Sequence, residues 1–292
     1  MIDSLLEDIK GQFRYGNMIV KLIFVNLFVF VLFTFIGVFT PGGMTSETYI
    51  NIKHFFALPG DLGILLKRPW TIFTHMFLHA GFGHIFWNML ILFWFGRIFG
   101  DLMGDQRVLP LYFAGGLAGA IFYLIFANLI SPYGGVAMGA SAAVMAVVVA
   151  SGFIAPHYRI HMLFIGQVKL MYIVAALLFF DLAMIGQNNN TGGHFAHLGG
   201  ALLGGFYITY MHRNGVDFLS GIGSFFEKKP ENQKSSRPTK VVKMHQPSRS
   251  TRTRTTQTSE ETVDRILEKI KISGVSSLTE EEKDVLDRAS KE

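Results

Sequence analysis

Three short apolar stretches of this chain each begin with polar side chains that can do nucleophilic or acid–base chemistry. A Gly139-x-Ser141 turn precedes one stretch, and His197 lies near the start of another. The third begins with His84 and Asn88. Polar groups are costly within a lipid bilayer, so their presence in apolar segments points to a function. A serine becomes nucleophilic when a histidine lies within hydrogen-bond reach, so these residues predict acyl transfer by a serine.

Each residue has an expected role in that chemistry. Ser141 is the predicted nucleophile, and His197 is the predicted base that takes its proton. The Ser141 backbone N–H at a helix N-terminus is the first predicted oxyanion donor, and the side chains of His84 and Asn88 are the others. Gly139 leaves the approach to Ser141 open. A lone serine or histidine in such a helix is more often structural, so the prediction depends on their joint placement.

The composition predicts a membrane protein with several spans. Half of the 292 residues are hydrophobic, the mean hydropathy is +0.36, and 16% of the residues are charged, against about 25% in soluble domains. The absence of cysteine excludes disulfides, thiolate catalysis and Cys-ligated zinc. The net charge of +5 comes from loops and a tail without an aromatic-interleaved basic patch, so nucleic acid is not an expected partner.

Six apolar segments must position these groups. They are predicted as helices at 18–39, 83–100, 107–128, 139–155, 168–186 and 193–212. The second, fourth and fifth are short or interrupted, so we expect neighbouring helices to bury them. From Ser141 to Ile154 the fourth helix would rise only about 21 Å at 1.5 Å per residue. Ser141 is therefore expected below one membrane surface, in a cavity.

The distribution of Lys and Arg predicts the orientation. These residues flank the first span on its N-terminal side and occur after the second, fourth and sixth spans, whereas loops 129–138 and 187–192 carry none. The exception is the long loop 40–82, which carries Lys53, Lys67 and Arg68, but long loops count less. The positive-inside rule then places both termini in the cytoplasm. The second, fourth and sixth spans therefore begin at the outer face, which brings their polar groups to similar depth. The long hydrophobic loop 40–82 is expected to form an amphipathic element in the outer interface.

Composition shifts divide the chain into four predicted regions. They are a cytoplasmic N-terminal segment at 1–17, a membrane domain at 18–212, a basic linker expected to be disordered at 213–259, and a helical hairpin at 260–292. Thr279 and Glu282 form a capping-box pattern for the second helix of the hairpin. The hairpin is too small to fold strongly alone, so we expect it to dock on a cytoplasmic partner. The basic linker of the tail is expected either to bind anionic lipid or to be a solvated tether.

The joint spacing of these motifs resembles the rhomboid family of intramembrane serine proteases, over approximately residues 15–212. The matching motifs are Gly139-x-Ser141, Ala196-His197-x-x-Gly200-x-x-x-Gly204, and His79 with His84-x-x-x-Asn88 after a loop that contains Trp70. The resemblance implies an all-α, six-helix membrane bundle and a Ser141–His197 dyad without a third carboxylate. It also implies the oxyanion site described above, with no metal or organic cofactor.

The resemblance further implies the substrates and the location. Family substrates are usually single-span membrane proteins, cleaved at small residues in or near the transmembrane helix. The tail is similar to a C-terminal module of some bacterial rhomboids, and the expected location is a bacterial inner membrane with the active site towards the outer face. Gly200 and Gly204 form a GxxxG pair, which is expected to bring the His197 helix close to the Ser141 helix.

Three positions depart from the family pattern. Ala142 follows the nucleophile where glycine is usual, and Met145 stands where a tyrosine often packs against the histidine. Thr71 replaces the arginine of a Trp-Arg motif in the first loop. None of these changes removes a catalytic group, so we expect differences in rate and specificity.

Four further residues of the second and fifth spans have two interpretations each. Asp181 has the chemistry to complete a triad, but it is interpreted as an interfacial or water-bound carboxylate, because the family works without one. Trp87, Phe179 and Phe180 are predicted to form a substrate gate between the second and fifth helices. The alternative is that these three are ordinary lipid-facing aromatic residues.

Two other functional classes stay open. Five histidines are expected towards the outer side, and their spacing does not exclude a bis-histidine haem or metal site; they are His75, His79, His84, His194 and His197. A zinc peptidase is disfavoured because the HExxH pattern is absent. A non-proteolytic client-binding protein of the same fold generally lacks the serine or the histidine, and this chain has both. A soluble α/β-hydrolase is excluded because Ala143 breaks G-x-S-x-G.

Overall fold

The computed structural model describes residues 17–130, 135–162, 166–185, 190–220, 266 and 278–289. The chain forms two compact units, at residues 1–231 and 232–292. In chain order the helices of the first unit are α1 (Met18–Phe39), α2 (Glu47–Phe56), α3 (Leu62–Lys67), α4 (Thr71–Thr74), α5 (Phe82–Met103), α6 (Val108–Ile125), α7 (Ser141–Ile154), α8 (Leu170–Ala183) and α9 (Thr191–Asn214).

Six of these helices correspond to the predicted spans, namely α1 and α5 to α9. Among the residues that the structure describes, three helical segments are long and apolar enough to cross a membrane, at Met18–Phe39, Phe82–Met103 and Asp105–Ile130. The last of these is α6 with a 3₁₀ turn before it and a π turn after it. α7 and α8 are shorter apolar helices of 14 residues each. The predicted all-α membrane bundle is confirmed.

α7 is the central helix of the bundle. It consists mainly of alanine and valine, most of its side chains are buried, and it packs against α5, α6 and α9. A Cβ atom added to Gly200 would lie 2.0 Å from the carbonyl oxygen of Ala142, and one added to Gly204 would lie 2.2 Å from that of Ala146. Small residues at these positions therefore let the backbones of α7 and α9 approach closely.

The long loop before α5 folds as several short helices rather than as one amphipathic element. Two short strands, β1 (Leu58–Pro59) and β2 (Val136–Ala137), pair antiparallel and join this loop to the segment that precedes α7. The Gly139 N–H donates to the carbonyl oxygen of His75 at 2.8 Å. The first loop thus holds the turn from which α7 begins.

A second antiparallel pair, β3 (Arg159–Met162) and β4 (Gly166–Lys169), connects α7 to α8. The sequence interpretation did not include this hairpin. It lies at the C-terminal end of α7, and therefore at the opposite end of that helix from Ser141.

The packed part of the first unit extends beyond the predicted boundary at residue 212. α9 ends at Asn214, and the segment after it remains packed, with Leu219 only 4% exposed. The Asp217 carboxylate pairs with Arg107, with 2.5 Å between Oδ2 and Nε. This ion pair and the burial of Leu219 continue the packed part of the bundle past Asn214.

The described part of the second unit contains α10 (Glu280–Ala289). Its capping box is present, because the Thr279 N–H donates to Glu282 Oε2 at 2.9 Å and the Glu282 N–H donates to Thr279 Oγ1 at 3.3 Å. The first helix predicted for the hairpin lies outside the described residues, apart from Ile266.

Candidate active site

Ser141 is the first residue of α7, and the turn before it requires glycine. Gly139 has φ of +138°, a conformation that L side chains rarely adopt. A Cβ atom there would lie 2.7 Å from Cε1 of the His84 ring and 3.5 Å from Ser141 Oγ. Because Ser141 begins the helix, its N–H has no acceptor within α7 and remains available to another group.

The structure brings His197 to Ser141. Nε2 of His197 lies 2.7 Å from Ser141 Oγ, a normal hydrogen-bond length for this pair. The two residues are 56 positions apart in the chain, and the close packing of α9 on α7 joins them. In this arrangement the serine hydroxyl donates to the ring, and the ring can take the proton when the oxygen attacks.

Asp181 contacts the same histidine, so its interpretation as an interfacial or water-bound carboxylate is wrong. Oδ1 of Asp181 lies 2.7 Å from Nδ1 of His197 and 2.7 Å from Nδ1 of His194. Asp181 lies in the last turn of α8, and the two histidines are one turn apart on α9. A carboxylate in an apolar bundle is stabilised when it accepts N–H donors, which explains why it turns inwards here.

The two predicted oxyanion side chains lie one turn apart on α5. The Ala80 N–H donates to His84 Nδ1 at 3.3 Å, so the neutral ring carries its hydrogen on Nε2, which is then a donor. Asn88 Nδ2 donates one hydrogen to the His84 carbonyl oxygen at 2.8 Å and keeps a second hydrogen. Both residues line cavities that also contain Ser141.

Ser141 lies between two cavities. One, of about 220 Å³, is lined by His84, Gly139 and Ser141 together with the start of α9. The other, of about 310 Å³, is lined by residues of α5, α7, α8 and α9, including Asn88, Ser141, Phe180 and His197. Ser141 therefore has free space on the side of each predicted oxyanion side chain.

The three predicted gate residues lie at the surface of the bundle. Trp87, Phe179 and Phe180 are each at least 60% exposed, and Phe180 also lines the larger cavity. In the described part of the chain, α8 packs against α7 and α9 and makes at most marginal contact with α5. A path between α5 and α8 would therefore lead from the surface to Ser141.

The structure also shows the surroundings of the three residues that depart from the family pattern. Ala142 is buried, and its carbonyl oxygen faces Gly200. Met145 lies one turn after Ser141 and lines the larger cavity. Thr71 is fully buried, and its carbonyl oxygen lies 2.9 Å from His75 Nδ1.

In the part of the chain that the structure describes, the five outer histidines do not form one shared group of metal ligands. Burial lowers the pKa of His75 to about 4 and that of His79 to about 3, so both stay neutral, and their Nδ1 atoms contact the backbone carbonyl oxygens of Thr71 at 2.9 Å and Phe77 at 3.3 Å. Among the described residues, one group has three ligand atoms close enough to hold a metal ion, at Asp181, His194 and His197. Their 2.7 Å separations are hydrogen-bond lengths, shorter than the roughly 3.3 Å between ligand atoms on a tetrahedral zinc ion.

Comparison with known protein families shows to which family this chain belongs. A family model described as a Rhomboid domain matches residues 66–214, about half of the chain. The chain belongs to the rhomboid family. A second model, described as a family of unknown function (DUF6576), matches residues 253–292 of this rhomboid protein.

Individual relatives agree with the family model. RHOMBOID-like protein 12, mitochondrial, of Arabidopsis thaliana is 31% identical over 198 residues, which cover 63% of this rhomboid and 55% of the relative. Presenilin-associated rhomboid-like protein, mitochondrial, of Homo sapiens is 25% identical over 232 residues, covering 72% and 56%. Rhomboid protease GluP of Bacillus subtilis (strain 168) is 29% identical over 177 residues, covering 61% and 32%. The aligned part thus spans about half of the mitochondrial relatives and about a third of GluP.

Sequence reasoning missed the contacts of Asp181 and of His194. Two signals were present, because an intramembrane carboxylate is expensive and His194 precedes His197 by three residues, on the same helix face. Only the packing of α8 against α9 in the structure shows that the carboxylate and the two histidines lie in contact.

Proposed function

We propose that this rhomboid is a serine endopeptidase that cleaves single-span membrane proteins in or near their transmembrane helix. The observation that carries the proposal is the 2.7 Å contact between Ser141 Oγ and His197 Nε2 at the start of a buried helix. Membership of the rhomboid family supports intramembrane proteolysis at the level of the family.

In the proposed reaction, Ser141 Oγ attacks the carbonyl carbon of the scissile peptide, and His197 Nε2 takes the hydroxyl proton. When the tetrahedral intermediate collapses, the C–N bond breaks and His197 gives that proton to the leaving amine. Water then attacks the acyl-enzyme with His197 again as the base, which releases the acid product and restores the Ser141 hydroxyl.

The developing oxyanion is stabilised by N–H donors around Ser141. The Ser141 N–H lies at the positive end of α7, where a negative charge is favoured. His84 Nε2–H and the second Nδ2 hydrogen of Asn88 are the proposed side-chain donors. Loss of one donor of this kind typically costs about 10²–10³ in kcat.

The substrate reaches Ser141 laterally from the membrane. The larger cavity is lined by α5 and α8, which make at most marginal contact with each other in the described part of the chain. Phe180 lines this cavity and is exposed at the surface, so it is placed to contact an entering segment. An extended stretch fits such a crevice better than a helix of about 10 Å diameter, so substrates with an unwound segment are favoured.

We place both termini of this rhomboid in the cytoplasm and Ser141 towards the outer face, on the distribution of Lys and Arg. A bacterial inner membrane is the proposed location, and the curated relatives include mitochondrial proteins as well as a Bacillus subtilis protein. The tail is proposed to bind a cytoplasmic partner or anionic lipid.

Cleavage of a single-span reporter in liposomes tests the proposal. We expect wild type to cleave it, and Ser141→Ala and His197→Ala to lose cleavage. Ser151→Ala is the matched control, because it removes a hydroxyl from the same helix that bonds only to backbone carbonyls. Cleavage that survives Ser141→Ala would contradict the mechanism. A wild type that binds the reporter without cutting it would favour the client-binding alternative.

A further inference from the structure

A carboxylate beside the proposed catalytic pair has two histidine side chains as hydrogen-bond partners. Asp181 Oδ1 lies 2.7 Å from both His194 Nδ1 and His197 Nδ1, while the other ring nitrogen of His197 contacts Ser141. The side chains of all three are at most 16% exposed. Four groups from three helices therefore form one continuous hydrogen-bonded chain.

We propose that Asp181 is a positioning residue for His197, and that His194 fixes the Asp181 carboxylate by donating a second hydrogen bond. This inference rests on the proposed protease function and adds to it a residue that does not touch the substrate. It departs from the dyad without a third carboxylate that the family resemblance implied.

The tautomer of His197 gives Asp181 its first effect. An ionised carboxylate only accepts hydrogen bonds, so the contact requires the ring hydrogen of His197 to be on Nδ1. The lone pair is then on Nε2 and faces the Ser141 hydroxyl, as a general base requires. In the other tautomer Nε2 would carry the hydrogen and could not take a proton from Ser141.

The second effect is electrostatic. When His197 takes the Ser141 proton it becomes a cation within a largely apolar bundle, which is costly without a partner. The Asp181 carboxylate at 2.7 Å supplies the opposite charge without accepting the proton. This is the role of the aspartate in serine proteases that use a triad, where replacing it with asparagine lowers kcat about 10⁴-fold.

The role of His194 follows from the cost of the carboxylate itself. A single donor leaves a buried carboxylate poorly solvated. The N–H of His194 is a second donor to the same oxygen, and it comes from the helix that carries His197. The carboxylate is therefore held at a fixed position relative to the ring that it orients.

Steady-state kinetics in liposomes test the inference. For Asp181→Asn we expect kcat to fall at least about 10-fold with KM changed less than about twofold, because the substrate does not contact Asp181. Asp181→Glu should recover part of the loss, because it restores the negative charge. The matched control is Asp101→Asn, which should retain wild-type kinetics, since Asp101 is an exposed aspartate in the last turn of α5, at the opposite end of that helix from His84.

A second measurement does not depend on whether the Asp181 variant folds. ¹⁵N NMR of histidine-labelled wild type should show His197 in the Nδ1–H form, assigned by comparison with His197→Ala. In folded Asp181→Asn, the signal should move towards the Nε2–H form. Wild-type protein with His197 in the Nε2–H form would overturn the inference.

The outcomes separate the inference from the proposed function. If Ser141→Ala is inactive while Asp181→Asn keeps wild-type kcat, the protease stands and the positioning role is wrong. If wild type does not cleave the reporter, the proposed protease function is wrong. The NMR signal of His197 still shows whether its Nδ1–H donates to Asp181. Cleavage should be unaffected by a chelator, and loss of activity on chelation with recovery on adding zinc would overturn the inference in favour of a metal site.

Discussion

At the scale of single residues, the site depends on one position where no side chain fits. Gly139 combines a φ of +138° with the close approach of the His84 ring. The first property disfavours any L residue, and the second places the ring where a Cβ atom would be. The turn that presents Ser141 and the placement of a proposed oxyanion donor thus depend on the same glycine.

Gly139→Ala should therefore lower cleavage at least about 10-fold, because either the turn or the His84 ring must shift and a shift of about 1 Å can cost 10²-fold. Reporter cleavage and thermal unfolding of the purified protein measure the two effects. Gly43→Ala is the control, because Gly43 also has a positive φ, of +72°, but no atom lies within 4 Å of an added Cβ. Equal activity of the two variants would show that the contact with His84 does not matter.

The contact between Ser141 and His197 could be expected from the sequence, because each is a polar residue near the start of an apolar segment and the charge pattern predicts a similar depth for both. Asp181 was recognised as a candidate and then interpreted wrongly. Its contact depends on which way the last turn of α8 faces, and neither composition nor spacing determines that rotation. The nearly uniform hydrophobicity of α8 leaves no polar face from which to read it.

At the scale of helices, close packing of α7 and α9 brings the nucleophile and the base together. Gly200 and Gly204 lie against backbone oxygens of α7, and the GxxxG spacing was visible in the sequence. The neighbouring Gly205 faces a different direction, and its added Cβ would have Phe153 as its nearest neighbour at 3.4 Å, which is ordinary contact.

Gly200→Ala should both destabilise the bundle and reduce cleavage, since its Cβ would lie 2.0 Å from the Ala142 carbonyl oxygen. Overpacking of this kind costs about 1–3 kcal/mol, and the helices must separate near His197. Gly205→Ala changes the same helix by the same methyl group and should keep both activity and stability. Thermal unfolding and reporter cleavage compare the two, and a Gly200→Ala protein that matches Gly205→Ala would refute the argument.

The weak packing between α8 and α5 leads to a prediction about substrate entry. Phe180→Ala widens the larger cavity at its surface end, so we expect cleavage of a single-span reporter to rise about two- to fivefold if entry limits the rate. Phe35→Ala is the control, because Phe35 of α1 is 60% exposed and Phe180 is 62% exposed. The same change in both variants, or in neither, would favour the alternative that Phe180 is an ordinary lipid-facing residue.

At the scale of the whole molecule, the two ends of the bundle differ in how they are held. At the end that contains Ser141, free space separates α5 from α8. At the opposite end, Arg107 and Asp217, 110 residues apart in the chain, form an ion pair, and the Tyr207 hydroxyl donates to the same carboxylate at 2.9 Å. A firmly joined end is suited to supporting a site at the other end that, in the proposed function, opens for its substrate.

The difference between the two ends of the bundle could be predicted from the sequence only in part. The six helices follow from the hydropathy of the sequence, whereas the ion pair joins a short interhelical turn to a segment assigned to the linker. Asp217 lies in a polar stretch after α9, where the sequence offers no apolar pattern to indicate packing. Long-range pairs of this kind depend on the three-dimensional arrangement of helix ends.

Asp217→Asn should reduce stability at neutral pH by about 1–3 kcal/mol, because it leaves the Arg107 charge without its partner. Burial alone would raise the pKa of Asp217, but the hydrogen bonds from Arg107 and Tyr207 and the charge of Arg107 hold it below its ordinary value. The unfolded chain therefore binds the proton at higher pH than the folded protein does. The stabilisation is complete above the ordinary value near pH 4 and is lost as the pH falls through the lower, folded value.

Thermal unfolding of wild type and Asp217→Asn should accordingly differ at pH 7, and the difference should shrink as the pH falls below the ordinary aspartate value of about 4. Asp101→Asn serves as the control, because Asp101 and its partner Arg97 are 74% and 66% exposed and lie 3.9 Å apart. Such an exposed pair contributes at most about 1 kcal/mol, so this variant should resemble wild type across this pH range. An Asp217→Asn protein as stable as wild type at pH 7 would show that the ion pair does not hold this end of the bundle, and the difference between the two ends would then need another cause.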